Sequence, residues 1–393
     1  MHNDPQEKDP GKKISAPMEG YELAALLRVQ GLGNRRLALL RQAFPSAHAI
    51  WEASTQALQA VDKITAELAQ AIHDFCQKEK DLPLRIQEEV TAVGARVVTP
   101  YDEEYPPRLR EIYEEPQVLY VMGNFTCLQA PSLAIVGSRH ATNYGNAVAK
   151  NLAGDLARQG VTIVSGAARG IDSRAHEGAL IAKGQTVAVL GCGINVVYPP
   201  ENRRLLEAIQ KQGAVISEYP PGTSPNGHYF PARNRIISGL CNGVLVVEAG
   251  EKSGALITAE QARRENRDVF AVPGRIYDNM SKGTNWLLHE HAILVRHAND
   301  VLQEFGLATE QKVMPTHKTS GEANAEAEPE ALPPGLSSAE ATVYQLLSRE
   351  TPLSVDDIIR KGRGTVSEIN FLLCNLEIQG IIKKTPDSMY LRL

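Results

Sequence analysis

The segment 228–235 places an aromatic pair beside two arginines, in a stretch predicted to be a loop that leads into a helix. Aromatic rings are stacking surfaces for unpaired bases, each worth about 1–3 kcal/mol, while arginines hold the phosphate backbone. Phe230, Arg233 and Arg235 therefore predict a contact with single-stranded nucleic acid. The alternative is structural, with the ring of Phe230 in the core and both arginines in salt bridges.

A first turn with the chemistry of an anion site is Gly137-Ser138-Arg139, which follows a predicted buried strand and precedes a helix expected near 143–145. A glycine permits a sharp turn, and the free amides at a helix N-terminus attract anions. Arg139 adds a planar fork suited to phosphate. No third glycine follows at the spacing of a dinucleotide fingerprint.

A second turn, 165–172, joins the next predicted strand to a helix expected from Ser173, and it places Arg169 between two glycines. Asp172 is positioned to cap that helix. An acid–base pair of Asp172 with His176 is the alternative, but capping accounts for the aspartate without a reaction.

A third turn, 248–254, opens another helix, with Ser253 as its cap and Lys252 beside the helix amides as a further anion site. Glu248 stands alone at the strand end, and a single buried carboxylate is weak evidence for catalysis.

These turns connect apolar segments typical of buried parallel strands, predicted at 133–136, 161–164, 186–190, 214–217, 244–248 and 269–272. Helical segments alternate with them. The pattern predicts an α/β fold, a Rossmann-like parallel sheet covered by helices on both faces. Because right-handed crossovers bring the carboxyl ends of the strands to one edge, the basic turns should meet there. Several such turns suit an extended polyanion better than one small cofactor.

The sequence lacks the signatures of common catalytic and metal sites, including the P-loop, H-E-x-x-H and G-x-S-x-G, and its five cysteines form no C-x-x-C pair. We therefore expect no enzyme activity and no metal site. Unpaired thiols and the lack of a signal peptide or membrane-spanning segment predict a cytoplasmic protein without membrane insertion. The net charge of −5 does not by itself indicate a nucleic-acid partner, since phosphate binding depends on where cations cluster.

The flanks predict further domains. We expect a disordered tail at 1–17, an N-terminal helical domain of the SAM or helix-hairpin-helix type at 18–85, the Rossmann-like domain with its lead-in at 86–305, a flexible linker at 306–335 and a winged-helix domain at 336–393. In the helical domain, a turn at 31–33 followed by Arg35 and Arg36 fits a DNA-phosphate site and a structural hairpin equally well. The third winged-helix helix, at 366–379, has no Lys or Arg, which favours protein contact or weak duplex binding over sequence readout.

Between about 97 and 305 the motifs resemble those of the DNA-processing protein A family (DprA, also called Smf). The motifs, in order, are Gly137-Ser138-Arg139, Ser165-Gly166, Ala168-Arg169-Gly170-Ile171-Asp172, Val189-Leu190-Gly191-Cys192-Gly193, Tyr198-Pro199, Ser217-Glu218-Tyr219-Pro220, Phe230-Pro231-Ala232-Arg233-Asn234-Arg235-Ile236-Ile237, Ser253-Gly254 with Thr258-Ala259, and Val272-Pro273-Gly274.

The resemblance implies a homodimer, formed through the Rossmann-like domain, that binds and protects single-stranded DNA entering by natural transformation. It also implies loading of the RecA recombinase, displacement of single-strand-binding protein, and no cofactor. Carried over by motif, the DNA-binding residues are Gly137, Ser138 and Arg139 in a phosphate-holding turn, Ser165, Gly166, Arg169 and Gly170 in the same pocket, Phe230, Arg233, Asn234 and Arg235 in a strand-binding loop, and Lys252, Ser253 and Gly254 as further contacts.

Three positions depart from the family pattern: Ala167 replaces a leucine, Asn195 replaces an aspartate, and 287–292 replaces a glycine-containing turn. One alternative function is a nucleoside-phosphate ribohydrolase, whose Pro-Gly-Gly-x-Gly-Thr segment is absent at 248–254. Another is an adaptor that contacts only proteins through its winged-helix domain. Binding of single-stranded against duplex DNA at two salt concentrations separates these functions.

Overall fold

The computed structural model describes residues 18–307, 333, 336–348, 353–362, 365–384 and 389–392. The chain separates into two compact units, Met1–Gln311 and Lys312–Leu393. The predicted tail at 1–17 lies outside the described residues, as does the predicted linker at 306–335 apart from 306, 307 and 333.

A nine-stranded sheet forms the centre of the first unit, in the order β1-β2-β6-β5-β4-β3-β7-β8-β9. The strands are β1 (Arg96–Val98), β2 (Leu119–Gly123), β3 (Ser132–Val136), β4 (Thr162–Ser165), β5 (Thr186–Leu190), β6 (Ala214–Ser217), β7 (Gly243–Val246), β8 (Asp268–Ala271) and β9 (Ile293–Leu294). Strands β3 to β9 pair in parallel, whereas β1 and β2 add an antiparallel edge. The predicted α/β fold with a mostly parallel sheet is confirmed.

Helices cover both faces of this sheet. They are α7 (Asn143–Arg158), α8 (Ile171–Ile181), α9 (Arg203–Gln212), α10 (Tyr229–Gly239), α11 (Gly254–Arg264), α12 (Lys282–His289) and α13 (Ala298–Glu304). Because side chains alternate across a strand, Leu133 and Ile135 of β3 pack with α7 and α8, while Ala134 and Val136 pack with α10 and α11. Two buried faces explain why the strands are continuously apolar in sequence.

The strand order reverses at β3, which has β4 on one side and β7 on the other. The crossover connections therefore lead away from β3 in both directions. They leave a crevice outside the carboxyl ends of β3 and β7, which is where open parallel sheets bind ligands. The fold thus places the basic turns predicted from the sequence around one crevice.

Six helices precede the sheet: α1 (Glu19–Leu26), α2 (Asn34–Ala43), α3 (Ala47–Trp51), α4 (Thr55–Gln59), α5 (Ala66–Lys78) and α6 (Leu82–Ala92). Their apolar residues share one buried cluster with Tyr120 of β2 and Leu190 of β5. The helices and the sheet therefore form one compact unit. Between α1 and α2 the chain turns at Gly31, whose φ of +86° favours glycine.

The second unit contains α14 (Ser338–Leu346), β10 (Leu353–Ser354), α15 (Val355–Gly362), α16 (Val366–Ile378), β11 (Ile382–Lys384) and β12 (Met389–Arg392). Its core includes Ile358, Leu373 and Tyr390. Three helices and a hairpin confirm the winged-helix prediction, and β10 adds a third strand to the hairpin. The face of α16 away from this core exposes Phe371 and Ile378.

Four of the five cysteines are buried, Cys374 is exposed, and all are free thiols. Burial raises the pKa of Cys192 to about 11 and that of Cys127 to about 12, so both remain protonated near neutral pH and unreactive. Within the described residues, no helix combines the length and apolar character that a membrane crossing requires.

Candidate nucleic-acid interface

An open groove of about 770 Å³ lies outside the carboxyl ends of β3 and β7, and we call it the rim groove. Turns after these strands and the first turn of α10 form its walls. Nine predicted DNA-binding residues line it: Gly137, Ser138, Arg139, Phe230, Arg233, Asn234, Lys252, Ser253 and Gly254. A recess of about 30 Å³ adjoins it, lined by Gly166 and Arg169 together with the shared residues Arg139 and Phe230.

The exposed part of the rim groove combines a cation with aromatic rings. The guanidinium carbon of Arg139 lies 5.2 Å from the ring centre of Phe230, and the Arg139 side chain is exposed. The ring of Tyr198 lies 5.5 Å from that of Phe230, at an angle of 33°. Such a surface offers a base a ring to stack on and a phosphate a cation.

Arg233 does not have the exposed position that its predicted role requires. It is 4% exposed, and its Nη1 donates to the carbonyl of Gly166 at 2.9 Å and to that of Val189. A side chain on Gly166 would place its Cβ 2.5 Å from Nη2 of Arg233. The glycine therefore makes room for this guanidinium, and Arg233 ties the ends of β4 and β5 to α10.

Arg235 also points away from the rim groove. Its Nη2 donates to Oε1 of Glu218 at 2.5 Å, and its Nε lies 3.8 Å from Oε2 of Glu114. Oε1 of Glu218 accepts a further hydrogen bond from Nδ2 of Asn34 in α2, at 2.8 Å. Arg235 thus joins α10 to the N-terminal helices. The structural alternative applies to both arginines, whereas Phe230 lines the groove.

The sequence also predicted a loop over 228–235, but α10 begins at Tyr229. Phe230, Arg233 and Asn234 are therefore on a helix. Residues 230, 233 and 234 share one helical face because they are three and four positions apart, while Arg235 lies on another. Helical spacing therefore explains why Arg235 does not line the groove, whereas the other three residues do.

Ser165 and Gly170 lie behind the groove wall. Ser165 is fully buried, and its hydroxyl donates to the carbonyl of Ile135 at 2.6 Å. Gly170 has a φ of +73°, and a Cβ there would lie 2.3 Å from the carbonyl oxygen of Ser138. Gly170 therefore lets the turns after β3 and β4 pack against each other, which positions Arg139 and Arg169.

The start of α7 is not the open anion site that the sequence predicted. Glu248 is 4% exposed and accepts the amide hydrogen of Thr142 at 2.9 Å, and Thr142 in turn caps the amide of Gly145 at 3.0 Å. The carboxylate occupies the positive end of the helix. Glu248 is therefore structural, and Arg139 provides the cation on this side of the groove.

On the opposite wall, the start of α11 lines the groove. Ser253 is the N-cap, and its Oγ accepts the amide hydrogen of Ala255 at 3.3 Å. Lys252 is exposed beside it. The positive end of this helix and the Lys252 ammonium both favour an anion in the groove.

Arg169 lines the recess, and its side chain is exposed. Its Nε donates to Oε1 of Glu201. This hydrogen bond is the main cause of the raised pKa of Arg169. Both side chains are about half exposed, at 57% and 50%, so solvent screens the pair. The guanidinium remains accessible to a competing phosphate.

Asp172 and His176 have the environments of structural residues. The helix begins at Ile171 instead of Ser173, and the Asp172 carboxylate accepts the amide hydrogen of Ala168 at 3.3 Å. Asp172 therefore closes the loop before α8, where the sequence predicted a cap for a later helix start. Burial raises its pKa, which the Arg233 guanidinium opposes. His176 is fully buried against Thr186, and burial lowers its pKa to about 3.

Two groove residues were not predicted as contacts. Tyr198 is 36% exposed against Phe230, and Ile257 is 53% exposed on α11. Tyr198 carried a signal, since an aromatic residue before a proline follows a predicted strand. Ile257 carried none, because an apolar residue within a helix is normally assigned to the core. In the described part of the chain, no cluster of His, Cys, Asp and Glu could hold a metal ion.

Two family models match this chain. Residues 96–306 match the family model of DNA recombination-mediator protein A, and residues 327–388 match the DprA winged helix domain. The chain belongs to the DNA recombination-mediator protein A family. The resemblance to DprA and Smf proteins is thereby confirmed.

Relatives within this family match over half of the chain or more. Protein Smf of Synechocystis sp. is 35% identical over 391 residues, covering 93% of this chain and 96% of that protein. DNA processing protein DprA of Streptococcus pneumoniae is 48% identical over 204 residues, covering 52% of this chain and 72% of that protein. The X-ray structure of DprA from Streptococcus pneumoniae aligns with a TM-score of 0.64 at 35% identity, covering 74% of this chain and 99% of that chain.

Proposed function

We propose that this protein binds single-stranded DNA in the rim groove and, during natural transformation, protects incoming strands and loads RecA onto them. The observation that carries the binding step is the exposed guanidinium of Arg139 over the ring of Phe230, with Tyr198 beside it. Stacked bases in a duplex cannot reach such rings, whereas unpaired bases can. An open groove also suits a polymer that enters and leaves along its length.

Phosphates have cations on both walls of this groove. Arg139 is on one wall, Lys252 and the start of α11 are on the other, and Arg169 is in the adjoining recess. The spread of these groups matches a strand with several phosphates better than one small anion. Family membership also supports DNA as the partner, since the family model is that of a DNA recombination mediator.

We propose further that the protein catalyses no reaction and needs no cofactor. The acid–base pair considered from the sequence has no access to a substrate, because His176 is fully buried. Its low pKa, about 3, keeps the imidazole neutral across the physiological range. A cytoplasmic location is supported by the five free cysteines.

A homodimer formed through the sheet domain is part of the proposal. A groove of about 960 Å³ on α11 and α12 exposes Ile257 and Trp286, at 53% and 51%. Exposed apolar patches of this kind mark protein interfaces, and Trp is enriched at their centres. Sedimentation equilibrium measures the assembly, and a monomer at micromolar concentration contradicts it.

RecA loading and displacement of single-strand-binding protein are tested together. RecA is added to DNA coated with single-strand-binding protein, and its DNA-dependent ATP hydrolysis is followed with and without this protein. Loading shortens the lag before hydrolysis. An unchanged lag contradicts the loading step and leaves the binding step standing.

The binding step is tested by fluorescence anisotropy with a labelled single strand and the matching duplex at two salt concentrations. We expect the single strand to bind more tightly, with a salt slope of about 0.7 log units per phosphate neutralised. Arg139→Ala and Phe230→Ala should each weaken binding about tenfold, because one removes a cation and the other a stacking ring. Lys211→Ala, an exposed cation outside the groove, is the matched control. Unchanged affinity in both groove variants refutes the proposal.

A further inference from the structure

A second open groove, of about 610 Å³, lies among the N-terminal helices, and we call it the hairpin groove. It is formed by the turn between α1 and α2, the first residues of α2 and the segment 110–117 that leads into β2. Arg35 and Arg36, which line it, follow the turn that the sequence left open between a DNA-phosphate site and a structural hairpin. The chemistry of the hairpin groove repeats that of the rim groove.

The hairpin groove carries more cations than carboxylates. Arg35, Arg36, Lys63 and Arg110 line it, against Glu114 and Glu115. Burial raises the pKa of Glu115 to about 7, so this carboxyl is partly neutral at physiological pH. The groove is therefore a basic surface on a chain whose net charge is −5.

Two of these cations are held in place by the protein itself. Nη1 of Arg36 donates to the carbonyl of Gly31 at 2.7 Å, and Nη2 of Arg110 donates to the carbonyl of Pro100 at 3.0 Å. The N-cap of α2 is Gly33, which has no side chain to satisfy the first amides of the helix. Fixed cations beside a helix N-terminus lower the ordering cost of holding a phosphate.

An aromatic ring beside a guanidinium is also present. Tyr113 is 76% exposed, and the guanidinium carbon of Arg35 lies 4.3 Å from its ring centre. The corresponding distance in the rim groove, from Arg139 to Phe230, is 5.2 Å. Gln117 lines the groove and is 1% exposed, and within the described residues its Oε1 has no hydrogen-bond partner. A buried acceptor of this kind suits an N–H donor of a base, such as the ring N–H of thymine.

The two grooves lie on either side of α10. Phe230 in the first turn of that helix lines the rim groove, while Arg235 reaches Glu114, which lines the hairpin groove. Glu218 connects Arg235 to Asn34 at the start of α2. A helix with its side chains is about 10–12 Å across, so a strand has little distance to cross between the grooves.

We propose that the hairpin groove is a second contact for the single strand bound in the rim groove, holding a phosphate on its cations and a base on Tyr113. The inference rests on the proposed function of the rim groove, and it predicts a footprint longer than that groove alone. If the hairpin groove instead binds a protein partner, substitutions in it should leave the affinity for single strands unchanged at every strand length.

The experiment compares oligothymidines of about 4 and about 16 nucleotides, which bracket the site sizes of single-strand binders, on the full chain. Tyr113→Ala and Arg35→Ala should each weaken binding of the long strand about tenfold and leave that of the short strand unchanged. The salt slope for the long strand should also fall in Arg35→Ala, by about 0.7 for each phosphate that is no longer neutralised. Tyr113→Phe retains the ring and should bind as the wild type does, and Lys211→Ala controls for removal of a cation elsewhere.

The outcomes separate the two proposals. If the wild type binds both strands and Tyr113→Ala and Arg35→Ala bind the long one normally, the hairpin groove is not a DNA contact and the rim groove stands. Equal weakening on both strand lengths also overturns the inference, because it shows a general effect on the fold. A wild type that binds neither strand overturns both proposals. Thermal unfolding of each variant confirms that these exposed substitutions leave the fold intact.

Discussion

The four arginines that the sequence predicted to bind DNA divide into two pairs with opposite roles. Arg139 and Arg169 extend from turns at the sheet edge, and both side chains are exposed. Arg233 and Arg235 belong to α10, where backbone carbonyls or carboxylates bind them inside the protein. The same residue type therefore has two roles: the buried arginines stabilise the elements around the groove, and the exposed arginines are available to a charged ligand.

Burial decides which role an arginine takes. A guanidinium removed from water needs partners for its donors, and once these are protein groups it has little left for a phosphate. Burial lowers the pKa of Arg233 to about 10, yet it remains a cation at neutral pH beside the buried Asp172. Exposed arginines keep their donors available at the cost of a screened, weaker field.

The largest effect expected from this division is on stability. Arg233→Ala removes the donors to Gly166 and Val189 and leaves Asp172 buried without its cation. We expect the free energy of unfolding to fall by about 3–5 kcal/mol, because two buried carbonyls lose their donor and a buried carboxyl group loses a nearby cation. Arg139→Ala should change it by less than about 0.5 kcal/mol, as exposed substitutions do. Urea titration measures both changes in the free energy of unfolding, with the same dependence on urea concentration expected for each variant.

A more conservative variant keeps the prediction testable even if Arg233→Ala does not fold. Arg233→Lys keeps a buried cation but loses the forked geometry, so it should be destabilised less than Arg233→Ala. At a temperature where it is folded, its affinity for a single strand should remain close to that of the wild type. Equal stability losses for Arg233→Ala and Arg139→Ala would show that burial does not separate the two pairs.

The sheet could be predicted from sequence because its strands are short, buried on both faces and continuously apolar. The turns could be predicted because glycines and cations follow those strands at the edge where ligands bind. The role of Arg233 could not, since its carbonyl partners lie 67 and 44 residues away and belong to strand ends that only the folded sheet brings together. The start of α10 at Tyr229 was not predicted, although Pro231 is compatible with it, since proline is tolerated in the first turn of a helix.

The second largest effect is expected at the buried His176. Thr186 donates its hydroxyl hydrogen to the carbonyl of Ile163, so its oxygen accepts from Nδ1–H of His176. The folded-state pKa, about 3, lies below the ordinary 6.5, so the unfolded chain takes up a proton first as pH falls. The contribution of His176 to the free energy of unfolding is therefore fully present above pH 6.5. It is lost as the pH falls toward 3, by about 2 kcal/mol between pH 7 and 5.

Urea titrations at pH 7 and pH 5 measure this loss. His176→Asn keeps a donor near the position of Nδ1 but does not titrate, so its own loss over this range should be smaller by about 2 kcal/mol than that of the wild type. His140→Gln, at an exposed position, should lose as much as the wild type. An acid loss that persists unchanged in His176→Asn would assign it to other groups.

The smallest effect concerns the exposed pair and tests whether Arg169 is available to DNA. Glu201 accepts from the Arg169 guanidinium and places a negative charge beside the recess. Glu201→Gln removes that charge and frees the guanidinium, so single-strand affinity at low salt should rise about two- to fivefold, through faster association. High salt should abolish the gain. Glu177→Gln removes a similar exposed partner, that of Arg174 on α8, and should change nothing. Weaker binding in Glu201→Gln would instead mean that the carboxylate orients Arg169 toward the strand, and an exposed arginine would then need a protein partner to act, as the buried ones do.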